Sequence, residues 1–303
     1  MEGSEGPRPQ SAVLEPPATA DQPGRRGRVG RRWLIVGGIA VVFLLAIGYI
    51  LGGAAAASGG ISRADSALKG TVSHNNAIVD MFASDPFKKV NLNSDTPDIA
   101  GAKAAVTTYK GQLETWQADV TADRAALQKA RADLQSSFLT LPEQSIIDDR
   151  RHRIDAGLSA LNTAQHGIDL YNQQVAFIEP FLDAVAGFVA LGNAQDIAGV
   201  QAELPGTGAN LQKAVGLAKP PAIPSQVTPM LTAMQHAVSD LQAMAVAVQA
   251  NDEAAFNRAN AALDADLKTV TGFDTTPLDN AEKATFQPLA DAYNSNMKIA
   301  SGE

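Results

Sequence analysis

The sequence predicts an all-α protein: a single N-terminal transmembrane helix, then an elongated extracytoplasmic helical bundle built on a long antiparallel helical hairpin. Three observations predict it. Residues Trp33 to Gly53 form an apolar run without a charged side chain. Apolar residues recur at seven-residue intervals through two long series within residues 99–192. The chain is rich in alanine, with aromatics at only 5%, which favours closely packed helices over sheets.

The first 32 residues are rich in Pro, Gly and charge and poor in large apolar side chains, so they cannot bury enough surface to offset their ordering entropy. They read as a disordered cytoplasmic tail. The tail ends in Arg25, Arg26, Arg28, Arg31 and Arg32, whereas only Arg63 and Lys69 follow soon after the apolar run. That asymmetry places the N-terminus inside. As a helix, residues 33–53 rise about 31 Å, enough to cross the lipid bilayer, and Trp33 and Tyr49 stand near the two interfaces. The small residues Ala54 to Ser58 offer a peptidase site, but the run is longer than a signal-peptide core of about 7–15 residues and reads as an uncleaved anchor. Gly48 and Gly52 have the spacing that lets two spans approach, although glycine is common in such helices.

Residues 54–98 read as a juxtamembrane helix and loop. Ile61, Ala64, Leu68, Val72, Asn75, Val79 and Phe82 form one stripe, stopped by Ser84-Asp85-Pro86. The hairpin occupies residues 99–192. Its first arm carries Ile99, Val106, Leu113, Val120, Leu127, Leu134 and Leu141, with Ala102, Tyr109, Trp116, Asp123 and Ala130 three positions further on. Its second arm carries Ile147, Ile154, Leu161, Ile168, Val175, Leu182 and Val189. Seams this long predict supercoiled helix packing. Thr140-Leu-Pro-Glu143 has the spacing of a capping box, and so short a connection makes the arms antiparallel. Pro180 is expected to kink the second arm.

Residues 193–303 break into shorter helices that complete the bundle. Ile197, Val200 and Leu204 mark one, and Leu211, Val215 and Leu217 the next. Between them Leu204 to Gly208 read L-P-G-T-G, which resembles the signal that Gram-positive sortases cut between Thr and Gly. Such a signal precedes an apolar stretch and a basic tail near the C-terminus; here 95 residues follow Gly208 in helical patterns. The stretch therefore reads as a bend, with Pro205 ending one helix. Lys219 to Pro224 form a stiff linker. Val227, Leu231, Met234, Val238, Leu241, Ala245 and Val248 make the next stripe. Asn251-Asp252 stops that helix and caps another, faced by Phe256, Leu263, Leu267 and Val270. Thr276-Pro277-Leu278-Asp279 opens the last.

Composition and motif content bear on function. The chain has no cysteine, so disulfides and thiolate metal sites are excluded. The tail carries six Arg against four acids, and the remainder 18 basic against 28 acidic residues, a net of −10. An acidic body excludes nucleic acid as a partner. Hydrolase, metalloprotease, phosphate-loop and dinucleotide motifs are absent, and His152 and His166 stand about 21 Å apart along one helix, too far to share a metal. The reading is of a protein that is not an enzyme and carries no cofactor and no metal. Met230, Met234 and Met244, with His236 nearby, share a helix but read as core filling. Asp148 to Asp155 form a mixed charge run, read as a solvated face with Asp148–His152 and Asp149–Arg153 pairs.

One layer inside the hairpin has ligand-site character. Antiparallel pairing about residues 140–142 sets Tyr109 near Tyr171, and Trp116 near Gln165 and His166; rings beside polar groups can form a small-molecule site between helices. Read as packing, the same residues are a buried polar layer that fixes register, which is the simpler account. The whole arrangement resembles single-span exported bacterial proteins with alanine-rich helical ectodomains. That resemblance implies the bacterial cytoplasmic membrane, with the bundle outside in the cell envelope. The sequence then points first to a non-enzymatic interaction or scaffold module that binds helical proteins or itself. The alternative is a ligand-binding or sensory ectodomain acting through a separate signalling partner.

Overall fold

The computed structural model describes residues 58–84, 98–134 and 143–303. The tail, the Trp33–Gly53 span, the loop at 85–97, and Thr140 with its capping box lie outside those residues. Among the described residues every regular element is helical, with no strand. The helices are α1 (58–73), α2 (Asn75–Ala83), α3 (Ile99–Asp133), α4 (Gln144–Asn193), α5 (Ile197–Leu217), α6 (Thr228–Gln249), α7 (Glu253–Thr271) and α8 (Thr276–Ser301), with a short 3-10 turn at Ser225–Val227 before α6.

Helix starts follow local chemistry. Asp98, Asp196 and Asp252 each accept a hydrogen bond from the backbone N–H three residues on, at 2.8–2.9 Å, which satisfies a donor the helix leaves orphaned. Asn251, just before Asp252, adopts the left-handed conformation (φ 54°) and turns the chain between α6 and α7. One cap differs from expectation. At α8 the side-chain acceptor is Asp274, which takes the Thr276 N–H at 2.9 Å, while Pro277 and Asp279 occupy the first turn. At α4 the described helix begins at Gln144, after Glu143, and the expected Thr140 cap lies outside the described residues.

The hairpin of α3 and α4 is antiparallel. Lys103 pairs with Asp183 at 2.6 Å, Lys110 with Glu179 at 3.2 Å, and Arg131 with Asp155 at 2.5 Å, the partner number falling as the residue number rises. Between the arms lie Val106, Leu113, Val120, Leu127 and Leu134 from α3, and Ile147, Ile154, Leu161, Ile168, Val175 and Leu182 from α4, all buried. Val189, the last of the expected seam, is 39% exposed because α3 has ended before that level. Helices α1 and α2 lie against this pair, antiparallel to α3: Arg63 meets Asp133 at 2.9 Å and His74 meets Asp123 at 2.9 Å. Helix α8 returns along α4, so that Arg153 of α4 reaches the carbonyls of Ala300 and Ser301, both at 3.0 Å. These elements share one core.

A second core lies further along α4. Phe177 and Ala184 of α4, Leu211 and Ala214 of α5, Ile223 and Val227 of the linker, and Leu231 and Met234 of α6 bury one another. The 50 residues of α4, about 75 Å of helix, therefore serve both cores in succession. Among the described residues α4 is the helix long and apolar enough to cross a membrane, with an 18-residue stretch of mean hydropathy 1.7 that is 33% buried.

The expected bend at L-P-G-T-G is corrected. Helix α5 runs unbroken from Ile197 to Leu217 with Pro205 inside it. The side chains decide this: Leu204 and Thr207 are buried, at 7% and 2% exposure, against α4 and α6. Thr207 also returns its hydroxyl proton to the Glu203 carbonyl at 2.9 Å, within its own helix. Packing outweighs the single backbone bond that Pro205 removes.

The charge run at Asp148–Asp155 is also differently partnered. Arg153 caps the end of α8. Arg151 donates to the Leu134 carbonyl at the end of α3, and Arg150 pairs with Asp65 and Asp149, each at 2.5 Å. The C-terminal end of a helix carries partial negative charge, so arginines there satisfy orphan carbonyls. The run holds three helices together where it was expected to make only local pairs.

Candidate functional site

Where the first core gives way to the second, the helices part around a cavity of about 690 Å³. Its walls come from the end of α2, the start of α3, the middle of α4, the 222–227 linker and the first half of α8. Two prolines stand near this level within unbroken helices, Pro180 in α4 and Pro288 in α8. Each costs its helix a backbone hydrogen bond and a clean ridge, which makes close packing there harder. Gln174 fastens the linker across the gap, donating to the Ala222 carbonyl at 3.1 Å.

The walls are aromatic. Phe82, Tyr109, Tyr171, Phe177, Phe181 and Phe286 line the space, in a chain holding only ten phenylalanines, four tyrosines and two tryptophans. The rings are ordered against one another. Tyr171 stacks on Phe286 with centroids 4.4 Å apart and planes at 14°. Tyr109 meets Tyr171 edge-on at 5.9 Å, and Phe177 stacks on Phe181 at 5.5 Å. Such pairs hold their geometry beyond the area they bury, so the cavity walls are preformed. Polar groups are few: Ser84 beside the Tyr109 hydroxyl at 3.3 Å, Gln174 of α4, and Asp279, Glu282, Lys283 and Gln287 on exposed positions of α8.

Burial pushes the Tyr109 phenol up to about 12, with the Glu282 carboxylate adding to the rise and the Ser84 bond partly opposing it. Tyr171 is pushed up too, by burial first and then by Tyr109 and Glu282. Both phenols therefore stay protonated across the physiological range. They can donate hydrogen bonds to a guest and cannot serve as bases near neutral pH.

The four residues singled out by hairpin pairing separate here. Tyr109 and Tyr171 do meet across the two arms, inside the cavity wall. Trp116 lies half-buried one step below, its ring 6.0 Å from Tyr109 and nearly perpendicular to it. His166 does not join them: it is exposed on α4, and the polar contact between the arms at that level is Gln117 with Gln165 at 2.6 Å. The antiparallel register was right, but the helical phase turns position 166 outward. Phe286, Phe177 and Phe181 escaped notice because they belong to no heptad seam. A signal for Phe177 and Phe181 does exist in the crowding of Tyr171, Phe177, Phe181 and Phe188 around Pro180 in an aromatic-poor chain, and none marks Phe286.

A second polar layer lies lower in the first core. Asp123, 7% exposed, accepts from or shares a proton with His74 Nδ1 at 2.9 Å, and its neighbour Arg124 donates to the Leu161 carbonyl at 3.3 Å. Among the described residues Asn75 Oδ1, Arg124 Nε and Tyr293 Oη are buried without a hydrogen-bond partner. The described residues bring no three metal-ligating side chains together. Met234 packs in the second core and Met230 borders the cavity. No protein-family model matches the chain, and comparison with curated proteins and with solved structures likewise gives no significant match.

Proposed function

We propose that this chain is a non-catalytic, single-span protein of the bacterial cytoplasmic membrane whose outward helical body holds a small apolar ligand in the cavity between its two cores. The observation that carries this reading is the cavity itself. Its volume of about 690 Å³ lies within the range of roughly 300–1,000 Å³ common to small-molecule sites, and its walls are apolar and aromatic with a few polar groups. A scaffold that only presents helix faces to partners needs no such space. The ligand-binding alternative accounts for it. The membrane part of the proposal rests on the charge-free run from Trp33 to Gly53 and the five arginines before it.

Trp116 supplies a reporter, since its ring touches Tyr109 in the cavity wall. In full-length protein carrying Trp33→Phe, purified in nanodiscs, gentle solvent extraction and mass spectrometry should recover a small apolar molecule, and its removal should shift Trp116 emission. Ala290→Trp, which fills the space, should keep the helical circular dichroism and lose the bound molecule. Wild-type protein that neither carries a small molecule nor changes emission with any apolar probe would overturn the reading. Topology is tested separately. The chain has no cysteine, so single cysteines at positions 5 and 251 report cleanly, and labelling of both from the same side of intact cells would sink the membrane arrangement.

A further inference from the structure

The charges around the cavity are not evenly signed. Asp279 and Glu282 stand at its α8 side, one turn apart on the same helix, and both line the space. Lys283 is the single cationic side chain among the described lining residues, and it is exposed. Inside, the described walls offer phenyl and phenol rings, and no cation is buried among the described lining residues. Aromatic rings carry negative charge on their faces and attract ammonium and guanidinium groups, most strongly where water is excluded. The body beyond the tail bears a net charge of −10, which favours the approach of cations over anions.

We infer that the ligand is an amphiphilic organic cation, an aromatic or aliphatic body carrying an ammonium-type group. The apolar body lies among Tyr109, Tyr171, Phe177 and Phe286, and the cationic end sits towards Asp279 and Glu282. This rests on the cavity reading above and narrows it to one charge class. The field of Glu282 already reaches both buried tyrosines, raising their pKa values as a nearby anion must. A carboxylate-bearing ligand in the same pose would meet that field with the wrong sign, and a neutral one would gain nothing from it.

Three probes of nearly equal shape separate the possibilities: phenylbutyltrimethylammonium, phenylbutanol and phenylbutanoate. Their binding to full-length protein in nanodiscs is measured by calorimetry, with empty nanodiscs as the blank. The cation should bind about 10-fold or more tightly than the alcohol, a difference of about 1.4 kcal/mol, and the carboxylate should bind weakest. In Asp279→Asn/Glu282→Gln the preference for the cation should fall below about 3-fold while the alcohol keeps its affinity. Both substitutions keep the side-chain shape at exposed positions, and unchanged helical circular dichroism is the control for the fold. Should the alcohol or the carboxylate bind as tightly as the cation, the charge inference fails and the cavity reading stands. If none of the three binds, the charge inference fails, and the cavity reading is decided by the extraction and emission measurements. Unchanged cation preference in the double variant also overturns the inference, since the carboxylates would then play no part.

Discussion

Asp123 is a carboxylate at a position that the seven-residue pattern assigns to the core, and the structure shows how it is tolerated. Its partner His74 sits at the turn between α1 and α2, 2.9 Å away, and the bond raises the His74 pKa above 6.5; burial opposes the rise, and the charges of Asp123 and Asp119 add to it. The sign of the pH effect follows. A histidine whose folded pKa is raised contributes its full stability below about 6.5 and loses it as pH rises through the folded value. His74 is partly exposed, so the contribution is on the order of 1 kcal/mol. Asp123→Asn should accordingly be less stable than wild type by about that amount at pH 6, and the gap should shrink by pH 8.5. Urea denaturation at the two pH values checks this, and a gap independent of pH would show that the pair acts only by shape. Arg153 makes a related point. A residue that looked like part of a solvated charge run is bonded to two terminal carbonyls of α8, some 150 positions away in sequence, and only the fold could reveal that.

At the scale of elements, α5 is the instructive case. Pro205, Gly206 and Gly208 are strong local reasons for a break, yet the helix continues because Leu204, Thr207, Leu211 and Ala214 place one buried face against α4 and α6. The reason lies in the neighbour. Gly187 of α4 stands opposite Thr207, and a Cβ built at Gly187 would overlap the Thr207 side chain. The two helices approach as closely as they do because position 187 has no side chain. Gly111 of α3 offers the contrast, since it is exposed with nothing near it. Gly111→Ala should stabilise the protein by about 0.5–1 kcal/mol through helix propensity. Gly187→Ala should instead destabilise it by about 1–2 kcal/mol, the overlap outweighing the same propensity gain. Thermal denaturation of the pair decides it, and a stabilising Gly187→Ala would mean that α5 is free to move away.

At the scale of the molecule, stability is unevenly distributed between the two cores. Helix α7 buries only Ala259 and packs chiefly on α6, whereas α4 buries residues along nearly its whole length. Hydrogen exchange should therefore be fastest in α7 and slowest in α4 between Ile154 and Val175, with α8 between them. Equal protection throughout would indicate a single cooperative unit. The cavity lies where the cores meet, so a ligand there would be held by elements of both, and bound probe should slow exchange in the linker at 222–227 and at the start of α8.

The sequence by itself determined the helical class, the aspartate cap at Asp252 and the two apolar seams of the hairpin, because each depends on local propensity or on a repeat that any neighbour can read. It also brings Tyr109 and Tyr171 together, since antiparallel pairing about an expected turn is arithmetic. Tertiary structure decided what arithmetic could not reach. The outward phase of His166, the passage of α5 through Pro205, the arginines that close distant helix ends and the rings of Phe177, Phe181 and Phe286 around one cavity all depend on which helix lies beside which. That choice is made by burial summed over many side chains, each contributing little alone, and no short stretch of sequence contains the sum.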